Sequence, residues 1–214
     1  MNVVFDFGAV LFTWRPTELL RRHFPQRAAS EPQAENLAQA VFGHADWHQF
    51  DRGVLSIDTV VTRTAARLDL DPGALTGLVE SIADHLVPMQ GSLALLAQLR
   101  ALRQRQADAP KLYFLSNMPA PYARALVQRH AFLQWFDGGI FSSDVSLIKP
   151  EPEVYALLER RYALAPARTI FIDDHAANVK AAQARGWHGI QFESAPQVQA
   201  QLLRYGLALL LPDR

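Results

Sequence analysis

The sequence predicts an α/β fold: a doubly wound, mostly parallel sheet with an inserted α-helical cap domain. Two observations carry that expectation. Compact apolar runs at residues 2–7, 111–115 and 169–172 alternate with helical patterns, and continuous apolar strands of this length suit a parallel sheet covered on both faces. Residues 14–88 then break the alternation, reading as helix after helix directly behind the first strand.

In chain order, the first run (NVVFDF) carries Asp6 near its end. Helical patterns follow at Pro16–His23, 33–41, 56–68 and 72–86, with Ser56 and the Asp71-Pro72-Gly73 turn signal bracketing the third. The next helix, 91–106, is expected to start at Ser92 as N-cap and to place Leu95, Leu96, Leu99 and Leu102 on one stripe. The KLYFL run at 111–115 leads into Ser116-Asn117. A helix at 119–130 carries Tyr122, Leu126 and Val127, its prolines confined to the first turn, where they are tolerated. Weaker strand runs lie at 139–141 and 189–192, and Pro152–Tyr162 is helical, with Val154, Leu157 and Leu158 on its apolar side. The TIFI run at 169–172 ends in Asp173-Asp174, and a helix at 176–185 stops at Gly186, a C′ glycine. The expected division is a core of residues 1–13 and 89–214 and a helical cap of residues 14–88.

The 214 residues hold 21 basic and 21 acidic side chains, so the formal net charge is zero, without the basic excess of a nucleic-acid partner. There is no cysteine, which excludes disulfides, thiolate metal sites and cysteine nucleophiles. Only three lysines occur: Lys111, Lys149 and Lys180. No positive region precedes the first apolar run, and the run at 207–211 is far shorter than the roughly 20 residues of a membrane helix. A cytoplasmic protein without membrane or nucleic-acid partners is expected, as monomer or homodimer.

In an open α/β sheet the ligand crevice lies beyond the carboxyl ends of the strands, which selects Asp6, Ser116-Asn117 and Asp173-Asp174 as candidates for one site. Asp6 reads either as a solvated strand-end acid or as a nucleophile or metal ligand, with Gly8 letting backbone amides approach an anion. Adjacent Asp173 and Asp174 repel each other unless a cation or other charge intervenes; the alternative is that Asp174 caps the next helix while Asp173 is solvated. Oxygen ligands without cysteine or clustered histidine point to Mg²⁺. Ser116 and the Asn117 amide can hold a phosphate oxygen, or form only a turn. Lys149, beside a proline-rich turn, reads as a surface residue or as a member of the same edge.

These elements, in this order, resemble the haloacid dehalogenase superfamily, whose four motifs map onto Asp6-Phe7-Gly8-Ala9-Val10, Ser116-Asn117, Lys149-Pro150 and Asp173-Asp174. The resemblance spans essentially the whole chain and implies a Rossmann-like core, with the cap inserted between motifs one and two. The stretch Phe50-Asp51-Arg52-Gly53-Val54-Leu55-Ser56 is similar to a recurrent cap turn. The resemblance implies a phosphatase acting on a small phosphorylated metabolite, such as a sugar phosphate, through an aspartyl-phosphate on Asp6. It also implies Mg²⁺ held by Asp6, Asp174, the Gly8 carbonyl and a water anchored by Asp173, with Lys149 neutralising charge and Ser116 and Asn117 gripping phosphoryl oxygens. Arg52 and Trp14 are candidate substrate contacts. Asn178 is expected to brace Lys149 or the phosphate, or else to be an exposed helix polar. His44 and His48, four residues apart, are expected at the cap surface or facing substrate rather than on a metal.

One departure matters. Phosphatases similar to this chain usually carry a second aspartate two residues after the nucleophile, as acid and base, where this sequence has Gly8. Loss of such help typically lowers rates by about 10²–10⁴-fold. Three readings follow: a phosphatase for a good leaving group or with its acid from elsewhere, similar to bacterial sugar-1-phosphatases with an Asp-x-Gly-Asn-Val opening; a 2-haloacid dehalogenase, whose halide needs no proton; and a weakened binding or regulatory relative. Retention of Asp173-Asp174, a pair the dehalogenases lack, favours the metal-dependent phosphohydrolase.

Overall fold

A computed structural model describes residues 1–102, 109–207 and 209. The described residues form one parallel sheet of five strands in the order β3-β2-β1-β4-β5. The strands are β1 (Asn2–Phe5), β2 (Lys111–Ser116), β3 (Gly138–Phe141), β4 (Thr169–Asp173) and β5 (His188–Gln191). All five apolar runs are therefore strands. In register, Phe5 of β1 stands between Phe114 and Ile172, so the carboxyl ends of β1, β2 and β4 open on one edge.

Alternation within the strands divides the core. Val3, Phe5, Ile170 and Ile172 face one apolar cluster, while Val4, Tyr113, Leu115 and Phe171 face the other. The second face is covered by α8 (Pro152–Tyr162), through Val154, Tyr155 and Leu158, and by α9 (Ala176–Ala184), through Ala182. The first is covered by α6 (Gln90–Leu102), α7 (Ala120–Arg129) and α10 (Ala195–Arg204). Burial on both faces is what permits nearly unbroken apolar strands. The sheet switches direction at β1, whose neighbours β2 and β4 lie on opposite sides, and such a switch point opens a crevice.

Between β1 and residue 88 stand α1 (Pro16–His23), α2 (Glu31–Phe42), α3 (Ala45–Asp51), α4 (Ile57–Leu68) and α5 (Pro72–His85). The chain leaves for these helices and returns side by side: Thr13 N donates to Val87 O at 2.8 Å and Met89 N to Leu11 O at 2.8 Å. Ser30 forms a capping box with Gln33, and Ser56 and Asp71 cap α4 and α5, supplying acceptors for otherwise orphaned first-turn amides. Gly53 turns the chain out of α3 at φ +74°, and a Cβ there would stand 2.8 Å from Ser143 O, so only glycine fits.

Three local points differ from the expectation. Helix α3 was absent from the sequence reading. Ser92 lies inside α6 rather than capping it, because Met89 O already accepts the Leu93 amide at 2.9 Å and starts the helix earlier. Val127 is 55% exposed on the outer side of α7, away from Tyr122 and Leu126. The expected end of the 91–106 helix lies partly outside the described residues, as does the apolar run at 207–211. Gly186 does close α9: its amide donates to Gln183 O at 2.8 Å and that of Trp187 to Ala182 O at 3.1 Å, the paired bonds of a Schellman cap.

Candidate active site

The loop after β1 is tightly wound. Phe7 O accepts from the amides of Leu11 at 2.9 Å and Phe12 at 2.8 Å, and Ala9 takes a left-handed φ of 54°. This winding holds Asp6 at the strand end with Gly8 near it, both lining a cavity. Asp6 Oδ1 accepts the Phe7 amide at 2.7 Å and the Lys149 ammonium at 2.8 Å.

Asp173, with no exposed surface, is fully satisfied. Its carboxylate accepts from Lys149 Nζ at 2.6 Å, from Asn178 Nδ2 at 2.9 and 3.1 Å, and from the His175 amide at 2.8 Å. The alternative of a solvated Asp173 is thereby overturned, and Asn178 braces this carboxylate rather than Lys149 itself. His175, not Asp174, occupies the N-cap of α9. Lys149 is buried between two carboxylates; burial alone would lower its pKa, but Asp173 and Asp6 outweigh it and hold the ammonium above its ordinary value. Asn117 fastens the lysine from behind: its Oδ1 accepts the Lys149 amide at 2.8 Å and its Nδ2 donates to the Lys149 carbonyl at 3.0 Å. Ser116, buried at the end of β2, lines the same cavity.

Oxygens of Asp6, Asp173 and Asp174 lie within 4.8 Å of one another, the one such cluster of potential ligands among the described residues. His44 and His48 are not part of it; His44 Nδ1 instead accepts the Asp46 amide and caps α3. Burial pushes Asp6 up to about 7 against the pull of Lys149, with Asp173 and Asp174 adding to the rise. Burial also raises Asp174, whose Oδ1 is enclosed and has no hydrogen-bond partner. An orphaned carboxylate oxygen beside two further acids is costly without a compensating positive charge. The all-oxygen donor set suits a hard divalent cation, so these residues fit Mg²⁺.

The cavity, about 660 Å³, runs from this edge under the helical stretch. Its walls are largely apolar: Trp14, Phe42, Trp47, Ile82, Leu86, Met118 and Tyr122. Edge-to-face ring pairs link them in series: Trp14–Phe42 at 5.1 Å, Phe42–Trp47 at 4.6 Å, Trp47–Phe50 at 5.4 Å and Phe50–Tyr122 at 5.7 Å. Trp14 lines the cavity. Arg52 does not: its guanidinium forks onto the Glu151 carboxylate and donates to Ser146 O at 3.1 Å, fastening the turn after α3 to the Lys149 loop. Asp51, also in the cavity wall, was not among the sequence candidates; its signal was its place beside Arg52 in the recurrent turn.

A family model described as haloacid dehalogenase-like hydrolase matches residues 3–186. The sesquiterpene phosphatase astK of Aspergillus oryzae is 27% identical over 187 residues, 87% of each chain. A flavin mononucleotide hydrolase of Arabidopsis thaliana is 27% identical over 169 residues, covering 78% of this chain and 64% of that protein. Among solved structures, the magnesium complex of a HAD family enzyme from Bacteroides thetaiotaomicron superposes with a TM-score of 0.69 at 19% identity, over 95% of this chain and 98% of that one. The L-2-haloacid dehalogenase of Xanthobacter autotrophicus gives a TM-score of 0.64 at 23% identity, over 97% and 84%.

Proposed function

The chain belongs to the haloacid dehalogenase-like hydrolases, and from that premise we propose that it is a Mg²⁺-dependent phosphatase for monoesters whose organic part is apolar. The observation that carries the reading is the cluster of Asp6, Lys149 and Asp174 in the wall of an aromatic cavity, backed by the buried Asp173. A dehalogenase has no use for a third acid with an unpartnered buried oxygen, whereas a metal-dependent phosphatase does.

Asp6 attacks phosphorus in line with the leaving oxygen and forms an aspartyl-phosphate, which water then hydrolyses. Lys149, fixed by Asn117 and Asp173, opposes the rise that burial imposes on the Asp6 pKa and offsets phosphoryl charge. The Ser116 hydroxyl and the Asn117 amide hold phosphoryl oxygens. Mg²⁺ held by Asp6, Asp174 and the Gly8 carbonyl would supply further charge neutralisation. Asp173, through Asn178 and Lys149, acts as the fixed point that orients the rest.

The helices of residues 14–88 form a cap that shapes the organic subsite. Its aromatic walls suit a hydrocarbon body better than the hydroxyl-rich sugar phosphate expected from sequence, and the sesquiterpene phosphatase relative agrees with that preference. The test is a screen of alkyl, terpenyl, sugar and nucleotide monoesters with and without Mg²⁺. Release of phosphate from apolar esters only with Mg²⁺ supports the reading. Metal-independent halide release from a chloroacid, without phosphatase activity, would refute it.

A further inference from the structure

Cleavage of an alkyl phosphate expels an alkoxide, which needs a proton as the bond breaks. Position 8, two residues beyond Asp6, has no side chain to give one. Space is not the reason, since a Cβ there would meet only Trp14 Cβ, at 3.9 Å. A donor elsewhere in the cavity wall would meet that need, and most of its titratable groups are engaged or exposed. Lys149 is held between Asp6 and Asp173. Tyr122 donates its hydroxyl proton to Val79 O at 2.8 Å. His175 is mostly exposed, with Nε2 3.8 Å from Asp174, and Glu35 and His48, though they line the cavity, are exposed residues.

Asp51 is different. It is the last residue of α3, buried, and part of the wall that also holds Asp6 and Lys149. Its main chain is fastened to the sheet edge: the Asp51 carbonyl accepts from Ser142 Oγ at 2.5 Å, and that same Oγ accepts the Met118 amide at 2.8 Å, one residue beyond Asn117. The Arg52–Glu151 fork secures the next residue to the Lys149 loop. Its carboxyl, by contrast, makes no hydrogen bond or ion pair among the described residues. Burial pushes Asp51 up to about 8, opposed by Lys149 and reinforced by Asp6, which favours the protonated carboxyl.

We propose that Asp51, reaching in from the helical stretch, is the general acid and then the general base that position 8 does not supply. The inference rests on the phosphatase reading. As an Asp6 oxygen bonds to phosphorus and the ester P–O bond breaks, the Asp51 proton passes to the departing alkoxide, which leaves as a neutral alcohol. The resulting Asp51 carboxylate then takes a proton from the water that attacks the aspartyl-phosphate. Inorganic phosphate departs, Asp6 is freed as a carboxylate, and Asp51 is protonated again.

The test is single-turnover release of the alcohol, with enzyme in excess and Mg²⁺ present, which reports the first step alone. The substrates are decyl phosphate, with a poor leaving group, and p-nitrophenyl phosphate, with a good one. D51N is expected to slow decanol release by about 10²–10⁴-fold and nitrophenolate release by less than about tenfold, since nitrophenolate leaves without a proton. Adding G8D to D51N is expected to restore much of the decanol rate, which also shows that the protein is folded. Equal losses on both esters, or a D51N enzyme that keeps its decanol rate, would overturn the role of Asp51. If wild-type enzyme with Mg²⁺ releases neither alcohol, the phosphatase reading itself falls and takes this inference with it.

Discussion

Lys149 Nζ stands 2.8 Å from Asp6 Oδ1, deep in the protein, with Asp173 on its other side at 2.6 Å. One ammonium thus pairs with two buried carboxylates and offsets part of their charge, and removing it leaves both without a cation. The variant K149M is expected to lose about 3–5 kcal/mol of unfolding free energy without metal, measured by urea titration, and to lose turnover. A K149M protein as stable as wild type would show that the carboxylates protonate at no cost.

Asn117 and the Lys149 backbone exchange two hydrogen bonds. N117A removes both, at about 1 kcal/mol each, and frees the loop that presents the ammonium. Turnover is expected to fall more than stability, with the loss mainly in kcat, because the proposed role of Lys149 is to offset charge that develops on the phosphoryl group. Steady-state kinetics on an alkyl phosphate decide this; a change confined to KM contradicts it.

The orphaned Asp174 Oδ1 makes an unusual stability prediction. Without metal, D174N is expected to be as stable as wild type or more so, because it removes a buried charge whose pKa burial already raises. Wild type should gain about 2.7 kcal/mol when Mg²⁺ reaches a hundredfold its Kd, and D174N should gain almost none. Thermal melts with and without Mg²⁺ distinguish the outcomes.

The Arg52–Glu151 fork ties the turn after α3 to the Lys149 loop, and its hydrogen bonds hold the Glu151 pKa below the ordinary carboxylate value. A depressed carboxylate contributes stability that is complete above its unfolded-state pKa and is lost as pH falls through the folded-state value. Both side chains are partly exposed, so the coupling is expected near 1 kcal/mol or below. A double-mutant cycle (R52A, E151A) should find it at pH 7 and see it shrink as the pH drops below about 4.3. A coupling independent of pH would contradict this.

What was legible in the sequence is what local pattern encodes. The strands at 111–115 and 169–172 announced themselves by unbroken apolar runs, and Asp6, Lys149 and Asp173-Asp174 by their strand-end and loop positions. What escaped depended on partners distant in sequence. Arg52 looked like a free substrate contact because Glu151, 99 residues away, is what occupies it. Helix α3 has seven residues and an N-cap histidine, too short for a period and without the usual Ser, Thr, Asp or Asn cap. Asp51 had only its place in the recurrent turn as a signal; the Ser142 contact, 91 residues off, shows that its backbone is fastened to the sheet edge.

The central claim is that Asp6 takes the phosphoryl group. The direct measurement is acid quenching of the wild-type enzyme during turnover of an apolar monoester with Mg²⁺, followed by peptide mass analysis. The account predicts one acid-stable, hydroxylamine-labile phosphoryl group on the peptide that contains Asp6. Finding no phosphoryl-enzyme while the ester is being hydrolysed, or finding the group on a peptide without Asp6, would contradict it.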